Sequence, residues 1–247
     1  MLDLCSGIGG ISLAAEWAGI KTVAHCEIEP FCQKVIKKHW PDTPFFKDIT
    51  DITKETLIER GVNVDAIRIV SAGYPCQPYS LAGDQLGSED ERFLWDKVFR
   101  VVREVDADWF VGENVYGHVN NGLSDVVADL EKENYEVECV VLPASAVGAP
   151  HKRERVFIIA RHTRSKPSLQ KNTSVSTFRS EWQAWQSLTW KHWREVSELH
   201  WSVPEPGICR VDDGVSKKLD KSRLIALGNA VVPQQIYPVF EAIARWS

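Results

Sequence analysis

A cysteine held between two prolines is the part of this sequence best suited to chemistry. Cys76 follows the apolar run 67–72, which predicts a buried strand of a parallel sheet, and Pro75 and Pro78 restrict the backbone on either side of it. A lone cysteine is usually a small apolar core residue, but two prolines and the polar Gln77 would make a poor core environment. Because a thiolate is a strong nucleophile, the pattern favours a nucleophilic role for Cys76.

Four further residues suited to ligand binding follow predicted strands in the same way. Strands are predicted over 1–5, 21–26, 44–47, 67–72 and 108–112. The carboxyl ends of parallel strands meet at one edge of a sheet, with neighbours about 5 Å apart, and ligands bind at that edge. The residues placed there beside Cys76 are Gly7, Glu27, Asp48 and Glu113. Packing needs alone do not explain this series, so it predicts a functional site.

The glycine turn after the first strand predicts a close approach to a ligand. Strand, glycine turn and the predicted helix 11–17 form the arrangement that cradles phosphates and nucleotides. Ser12 stands where a dinucleotide fingerprint would have its third glycine, and the Gly-Lys-Ser/Thr ending of a P-loop is absent from the sequence. The ligand is therefore not expected to be a pyrophosphate. Glu27 lies where nucleotide folds place a ribose-binding acid, although it could equally be a solvated charge before the next helix.

The remaining pattern extends the alternation of strands and helices. Helices are predicted over 31–39, 54–60, 92–105, 124–133 and from 233 to about 246, and two further strands over 136–142 and 155–161. The polar segment 82–90 predicts a loop that could close over the site as a lid. Together these elements indicate an α/β fold.

One region of the chain has the opposite charge from the rest. The chain carries a net charge of −5, but segment 161–210 holds eight Lys or Arg and four Glu, a local +4 that leaves −9 elsewhere. Such an asymmetry indicates an anionic partner. The segment also contains five tryptophans, for which a small aromatic core is favoured over direct stacking on bases.

The six cysteines contain no C-x-x-C pair, so neither a zinc site nor a redox motif is predicted, and no metal is expected. Free thiols and the absence of a signal peptide or a membrane-length apolar run predict a cytoplasmic protein.

Five motifs, in the same order, resemble those of the cytosine-5 DNA methyltransferases, most closely the small bacterial and phage enzymes. They are the S-adenosylmethionine motif at 3–10, the proline-cysteine motif at 73–77, Glu113-Asn114-Val115, Arg153-Glu154-Arg155 and Gly228-Asn229-Ala230-Val231. The resemblance implies a Rossmann-like methyltransferase fold, with a mostly parallel seven-stranded sheet whose last strand is antiparallel. It also implies a catalytic and cofactor-binding domain over 1–162, a target-recognition region over 163–215 and a C-terminal segment over 216–247 that returns to the catalytic domain.

The resemblance further implies a role for each catalytic residue. Cys76 would add to C6 of a cytosine flipped out of duplex DNA, and Glu113 would protonate or hydrogen-bond N3, which requires burial to raise its pKa. Arg155 would bind O2 of the base, and Arg153 would bind a phosphate or the active-site loop. Without the motif, a buried structural ion pair would be an equal alternative for Arg155.

The resemblance implies that S-adenosylmethionine is the cofactor, with Glu27 at the ribose hydroxyls and Asp48 at the adenine amine. The residues expected around it are Asp3, Leu4, Cys5, Gly7, Gly9, Gly10, Glu27, Ile28, Asp48, Ile49, Pro75, Asn229, Ala230 and Val231. Three positions depart from the family pattern: Cys5 replaces a phenylalanine, Ile28 a frequent aromatic residue, and His151 a glutamine.

The expected partner is double-stranded DNA, bound by a monomer, and a cognate restriction endonuclease acting on the same site is a further expected partner. Two alternatives use the same architecture: an RNA cytosine-5 methyltransferase, and a non-catalytic homologue that holds DNA without turnover.

Overall fold

The computed structural model describes residues 1–74, 89–149, 152–164 and 226–246. Its centre is a seven-stranded sheet in the order β3-β2-β1-β4-β5-β7-β6. The strands are β1 (Leu2–Leu4), β2 (Ala24–Cys26), β3 (Phe45–Phe46), β4 (Ile69–Ala72), β5 (Trp109–Val115), β6 (Tyr135–Pro143) and β7 (Glu154–His162). Only β7 runs antiparallel to its neighbours β5 and β6. The predicted fold, mostly parallel with an antiparallel last strand, is confirmed.

Six longer helices accompany the sheet in the described residues. They are α1 (Gly10–Trp17), α2 (Pro30–His39), α3 (Lys54–Glu59), α4 (Glu89–Val105), α5 (Leu123–Lys132) and α6 (Pro233–Trp246). Short 3₁₀ turns lie at Ile49–Asp51, Val64–Ala66, Tyr116–Val119 and Ala144–Val147. Within the described ranges, none of the helices is both long and apolar enough to cross a membrane.

Two apolar clusters form the core, one on each face of the sheet. Because successive strand side chains point to opposite faces, Val70 and Phe110 join the cluster with α4 and α5, whereas Ile69 and Trp109 join the cluster with α1 and α6. The central strands are covered on both sides, which explains why β4 is a continuous apolar-rich run without alternation.

The structure corrects three predicted boundaries near the site. The first strand ends at Leu4, because Cys5 adopts a left-handed backbone with φ of 51°. β5 continues to Val115 because it pairs with β7, so Glu113 lies within a strand and not after one. Helix α4 begins at Glu89, so the last two residues of the predicted loop 82–90 are helical. The rest of that loop, and the predicted target-recognition region beyond Arg164, lie outside the described residues.

Candidate active site

The carboxyl ends of the central parallel strands meet at one edge of the sheet, as predicted. β1 pairs with β2 and with β4 in register at the last residue of each strand, and β4 pairs with β5 alongside. A side chain on Gly73 would place its Cβ 3.5 Å from Oε2 of Glu113 and 3.6 Å from the carbonyl oxygen of Cys5. Gly73 therefore brings the strand that leads to Cys76 against the carboxylate of β5. Pro75 and Cys76 themselves lie outside the described residues.

Glu113 and Arg155 form a buried ion pair at this edge. Nε of Arg155 lies 2.8 Å from Oε1 of Glu113, and the two side chains are 12% and 7% exposed. Burial raises the pKa of Glu113 to about 7, although the charges of Arg155 and Arg153 oppose the rise. The pKa of Glu113 thus meets the condition for the role that the resemblance implies, because a carboxyl with a pKa near neutral is suited to general acid chemistry.

The ion pair leaves one nitrogen of Arg155 weakly engaged. Nη1 donates to the backbone carbonyl of Glu154 at 2.9 Å, whereas Nη2 lies 3.4 Å from the carbonyl of Gly228. The alternative of a buried structural pair is therefore present in the structure, but it does not use every donor of the guanidinium group.

Arg153 contacts a partner that its motif did not suggest. Its Nη2 donates to the carbonyl oxygens of Leu227 at 3.2 Å and Gly228 at 2.7 Å, and also to that of Ala230. Burial, together with the neighbouring charge of Arg155, lowers the pKa of Arg153. The side chain thus holds the segment 227–230 against the edge of the sheet that carries Glu113 and Arg155. The predicted phosphate contact would compete with these hydrogen bonds.

Glu27 fixes the glycine turn after β1. Its Oε2 accepts a hydrogen bond from the backbone NH of Gly7 at 2.6 Å, and its Oε1 accepts one from the NH of Glu29 at 2.7 Å. Burial raises the pKa of Glu27, and these backbone donors oppose the rise. Gly7 has φ of 54°, and an added Cβ would meet none of the described atoms within 4 Å, so space for a ligand is open beside it.

The start of α1 provides donors toward the same space. Gly9, with φ of 88°, precedes the helix, and no side chain of the described residues caps it. The first backbone NH groups of α1 can therefore donate hydrogen bonds to a ligand. A Cβ on Gly10 would lie 2.5 Å from the carbonyl oxygen of Val231. Only glycine permits this approach, which brings the predicted cofactor segments 3–10 and 228–231 into contact. In the latter, Asn229 is exposed, Ala230 is half-buried and Val231 is buried.

Asp3 connects the elements that carry the site. It is fully buried, as is Leu4, and its Oδ2 and Oδ1 accept hydrogen bonds at 2.7 Å from the hydroxyls of Ser12 and Ser71. These bonds join β1 to α1 and to β4, so Asp3 aligns the glycine turn with the strand that leads to Cys76. Ser71 was not among the predicted site residues, although its hydroxyl in an otherwise apolar strand was an available signal.

Asp48 and Ile28 lie at the rim of the site. Oδ1 of Asp48 accepts hydrogen bonds from the backbone NH and the hydroxyl of Thr50, at 2.8 and 2.7 Å, and these bonds lower its pKa. Ile28 is 72% exposed. Ile49, directly after Asp48, is buried.

The chain resembles known proteins along most of its length. Residues 1–202 match the family model described as C-5 cytosine-specific DNA methylase. The type II methyltransferase M.AquIA of Picosynechococcus is 36% identical over 174 residues, which are 64% of this chain and 70% of that protein. M.HhaI of Haemophilus parahaemolyticus is 34% identical over 163 residues, 64% of this chain and 47% of that protein.

Solved structures give the same likeness. A crystal structure of a DNMT2 mutant from Spodoptera frugiperda has a TM-score of 0.54 and 26% sequence identity, covering 70% of this chain and 53% of that one. The present chain thus spans about half the length of several proteins that it matches.

Proposed function

This chain belongs to the C-5 cytosine-specific DNA methylase family, and from that membership we propose that it transfers a methyl group from S-adenosylmethionine to C5 of a cytosine in a short duplex DNA sequence. The observation that carries the proposal is the buried Glu113–Arg155 pair, whose carboxyl has a pKa of about 7 and lies against Gly73, three residues before Cys76.

The residues around the glycine turn fit S-adenosylmethionine. The open space at Gly7 and the uncapped amides of α1 suit the carboxylate of its amino-acid part, and the carboxylate of Glu27 and the exposed side chain of Ile28 suit its ribose and adenine. When bound, S-adenosylmethionine supplies a methyl group activated by a positively charged sulfonium. We assign Asp48 and Asn229, both at the rim, to the polar atoms of the same ligand.

Cys76 is proposed as the nucleophile. The C5 carbon of neutral cytosine is a poor nucleophile, and addition of the Cys76 thiolate to C6 makes C5 able to accept a methyl group. As C5 bonds to the methyl carbon, the bond from that carbon to the sulfonium would break and leave a neutral thioether. Loss of the C5 proton to solvent and release of the Cys76 thiolate would then restore the aromatic ring. Because C6 is inaccessible in a stacked duplex, the base must be flipped out of the helix.

Glu113 and Arg155 are proposed to stabilise the charge that develops on the ring. The protonated Glu113 would donate to N3, and its near-neutral pKa makes both protonation states accessible at pH 7. The weakly engaged Nη2 of Arg155 would donate to O2 of the base. In this proposal the ion pair also keeps Glu113 oriented between turnovers.

Recognition of the DNA sequence is assigned to the segment 163–215, which holds seven of the eight Lys and Arg residues of 161–210. We further propose that the protein acts as a monomer in the cytoplasm. The type II names of its relatives support a role beside a restriction endonuclease acting on the same site.

The test is methyl transfer by the full chain from S-adenosylmethionine labelled at the methyl group, with duplex DNA and folded RNA as separate substrates. We expect label in DNA, and sequencing of methylated cytosines in DNA from cells expressing the chain should give one short motif. Cys76→Ala should abolish transfer. Cys139→Ala is the matched control, because Cys139 is an exposed cysteine on β6 that plays no part in the mechanism.

Two outcomes would overturn the proposal. Label found only in RNA would make the chain an RNA methyltransferase. DNA binding by a folded protein that transfers no label to either substrate would make it a non-catalytic homologue.

A further inference from the structure

Tyr74, two residues before Cys76, is hydrogen-bonded to a histidine in the segment that follows β5. Its hydroxyl lies 3.1 Å from Nε2 of His118, and both side chains are buried. The two rings meet edge to face, with their centroids 5.6 Å apart and an angle of 84° between their planes. This hydrogen bond connects the nucleophile's strand to the segment that follows Glu113.

His118 is placed to accept this hydrogen bond. It lies in the 3₁₀ turn Tyr116–Val119, which begins directly after β5, and its Cε1 is 3.5 Å from where a Cβ on Gly122 would stand. Burial lowers the pKa of His118, although a backbone hydrogen bond with Asn121 opposes the effect. A neutral imidazole has one ring nitrogen free to accept, so the Tyr74 hydroxyl can donate to Nε2.

A second aromatic side chain also packs against the Tyr74 ring. The ring of Trp95 lies 5.5 Å from it, centroid to centroid, and Trp95 is stacked in turn on Phe99. Nε1 of Trp95 donates to Oδ2 of Asp129 on α5 at 3.0 Å. Tyr74 therefore contacts both the 3₁₀ turn and Trp95 of α4, which is hydrogen-bonded to α5.

We propose that His118 is a positioning residue for the nucleophile: by accepting the Tyr74 hydroxyl, it fixes the residue from which the chain continues through Pro75 to Cys76. Proline fixes its own φ and restricts the residue before it, so the position of Tyr74 is transmitted to Cys76 with few intervening torsions. This inference rests on the proposed function, in which Cys76 attacks the flipped base.

The test measures formation of the covalent bond directly. Duplex DNA carrying 5-fluorocytosine at the target traps the Cys76 adduct, because fluorine at C5 cannot leave as the proton does. A misplacement of about 1 Å can slow a reaction about 10²-fold, so Tyr74→Phe should form the adduct about 10- to 100-fold more slowly. The dissociation constant of S-adenosylmethionine should not change. His118→Phe should have a similar effect, and the double variant should be no slower than either single variant.

Tyr135→Phe is the matched control. Tyr135 is also buried, its hydroxyl donates to the carbonyl of Ala107 at 2.6 Å, and its ring meets His162 edge to face at 5.0 Å. It stands at the start of β6, which runs parallel to β5, and so at the opposite edge of the sheet from the site. Loss of the Tyr135 hydroxyl should lower the free energy of unfolding without slowing adduct formation.

The outcomes separate this inference from the proposed function. A wild-type protein that forms no adduct and transfers no methyl group would overturn the proposed function, and this inference with it. A wild-type adduct that forms at the same rate in Tyr74→Phe and His118→Phe would overturn the positioning role alone. Equal slowing by Tyr74→Phe and Tyr135→Phe would also overturn it, because general destabilisation would then explain the effect.

Discussion

Glu113→Gln is expected to make the folded protein more stable at pH 8 while leaving its stability at pH 4.5 nearly unchanged. The neutral amide has the shape of the protonated carboxyl, which is the form that this buried position favours. A substitution that removes a proposed catalytic group would thus increase stability, and it would do so only where the wild-type carboxyl is ionised.

The magnitude follows from the pKa of Glu113, which burial, against the charges of Arg155 and Arg153, raises from 4.5 to about 7. Between these values the unfolded chain has released a proton that the folded protein still holds, so the free energy of unfolding falls as the pH rises. One pKa unit corresponds to about 1.4 kcal/mol. The free energy of unfolding of the wild type is therefore about 3 kcal/mol lower above pH 7 than below pH 4.5. Glu113→Gln should not show this decrease, because its side chain does not ionise.

The measurement is urea-induced unfolding of both proteins from pH 4.5 to 8.5, extrapolated to water at each pH. Glu136→Gln is the control, because Glu136 pairs with Arg161 across β6 and β7 but is 36% exposed. Water already solvates that carboxylate, so its removal should bring no comparable gain at high pH. Stability curves of wild type and Glu113→Gln that run parallel across this range would refute the reasoning.

The remaining predictions concern activity. Glu113→Gln should reduce methyl transfer about 10²- to 10⁴-fold, the usual contribution of a general acid, while calorimetry finds S-adenosylmethionine binding intact; wild-type turnover would contradict the acid role. Gly10→Ala should weaken S-adenosylmethionine binding, since the new Cβ would lie 2.5 Å from the Val231 carbonyl oxygen; unchanged affinity in a titration would show that this close approach is not needed. Exchange of segment 163–215 for that of a relative with another specificity should move the methylated sites, as mapped by sequencing. An active chimera that keeps the original sites would place recognition elsewhere, such as the loops around His118 and His151.

Local sequence was sufficient to predict the order of strands and helices. Apolar runs of strand length and helical periodicity depend on neighbouring residues, and they located all seven strands of the described sheet to within a few residues. The residues that follow strands β1, β2 and β4 could be assigned to one edge because parallel strands all end on the same side.

Tertiary structure alone decided which distant partners the polar residues of the site contact. Arg153 donates to carbonyl oxygens of residues 227–230, more than 70 positions away, and Asp3 accepts from Ser71, 68 positions away. A residue's type states how many hydrogen bonds it can make, but the partner depends on which segments the fold brings within about 3 Å. The same reason accounts for β5, which extends through Glu113 to Val115 only because β7 lies beside it and pairs with it.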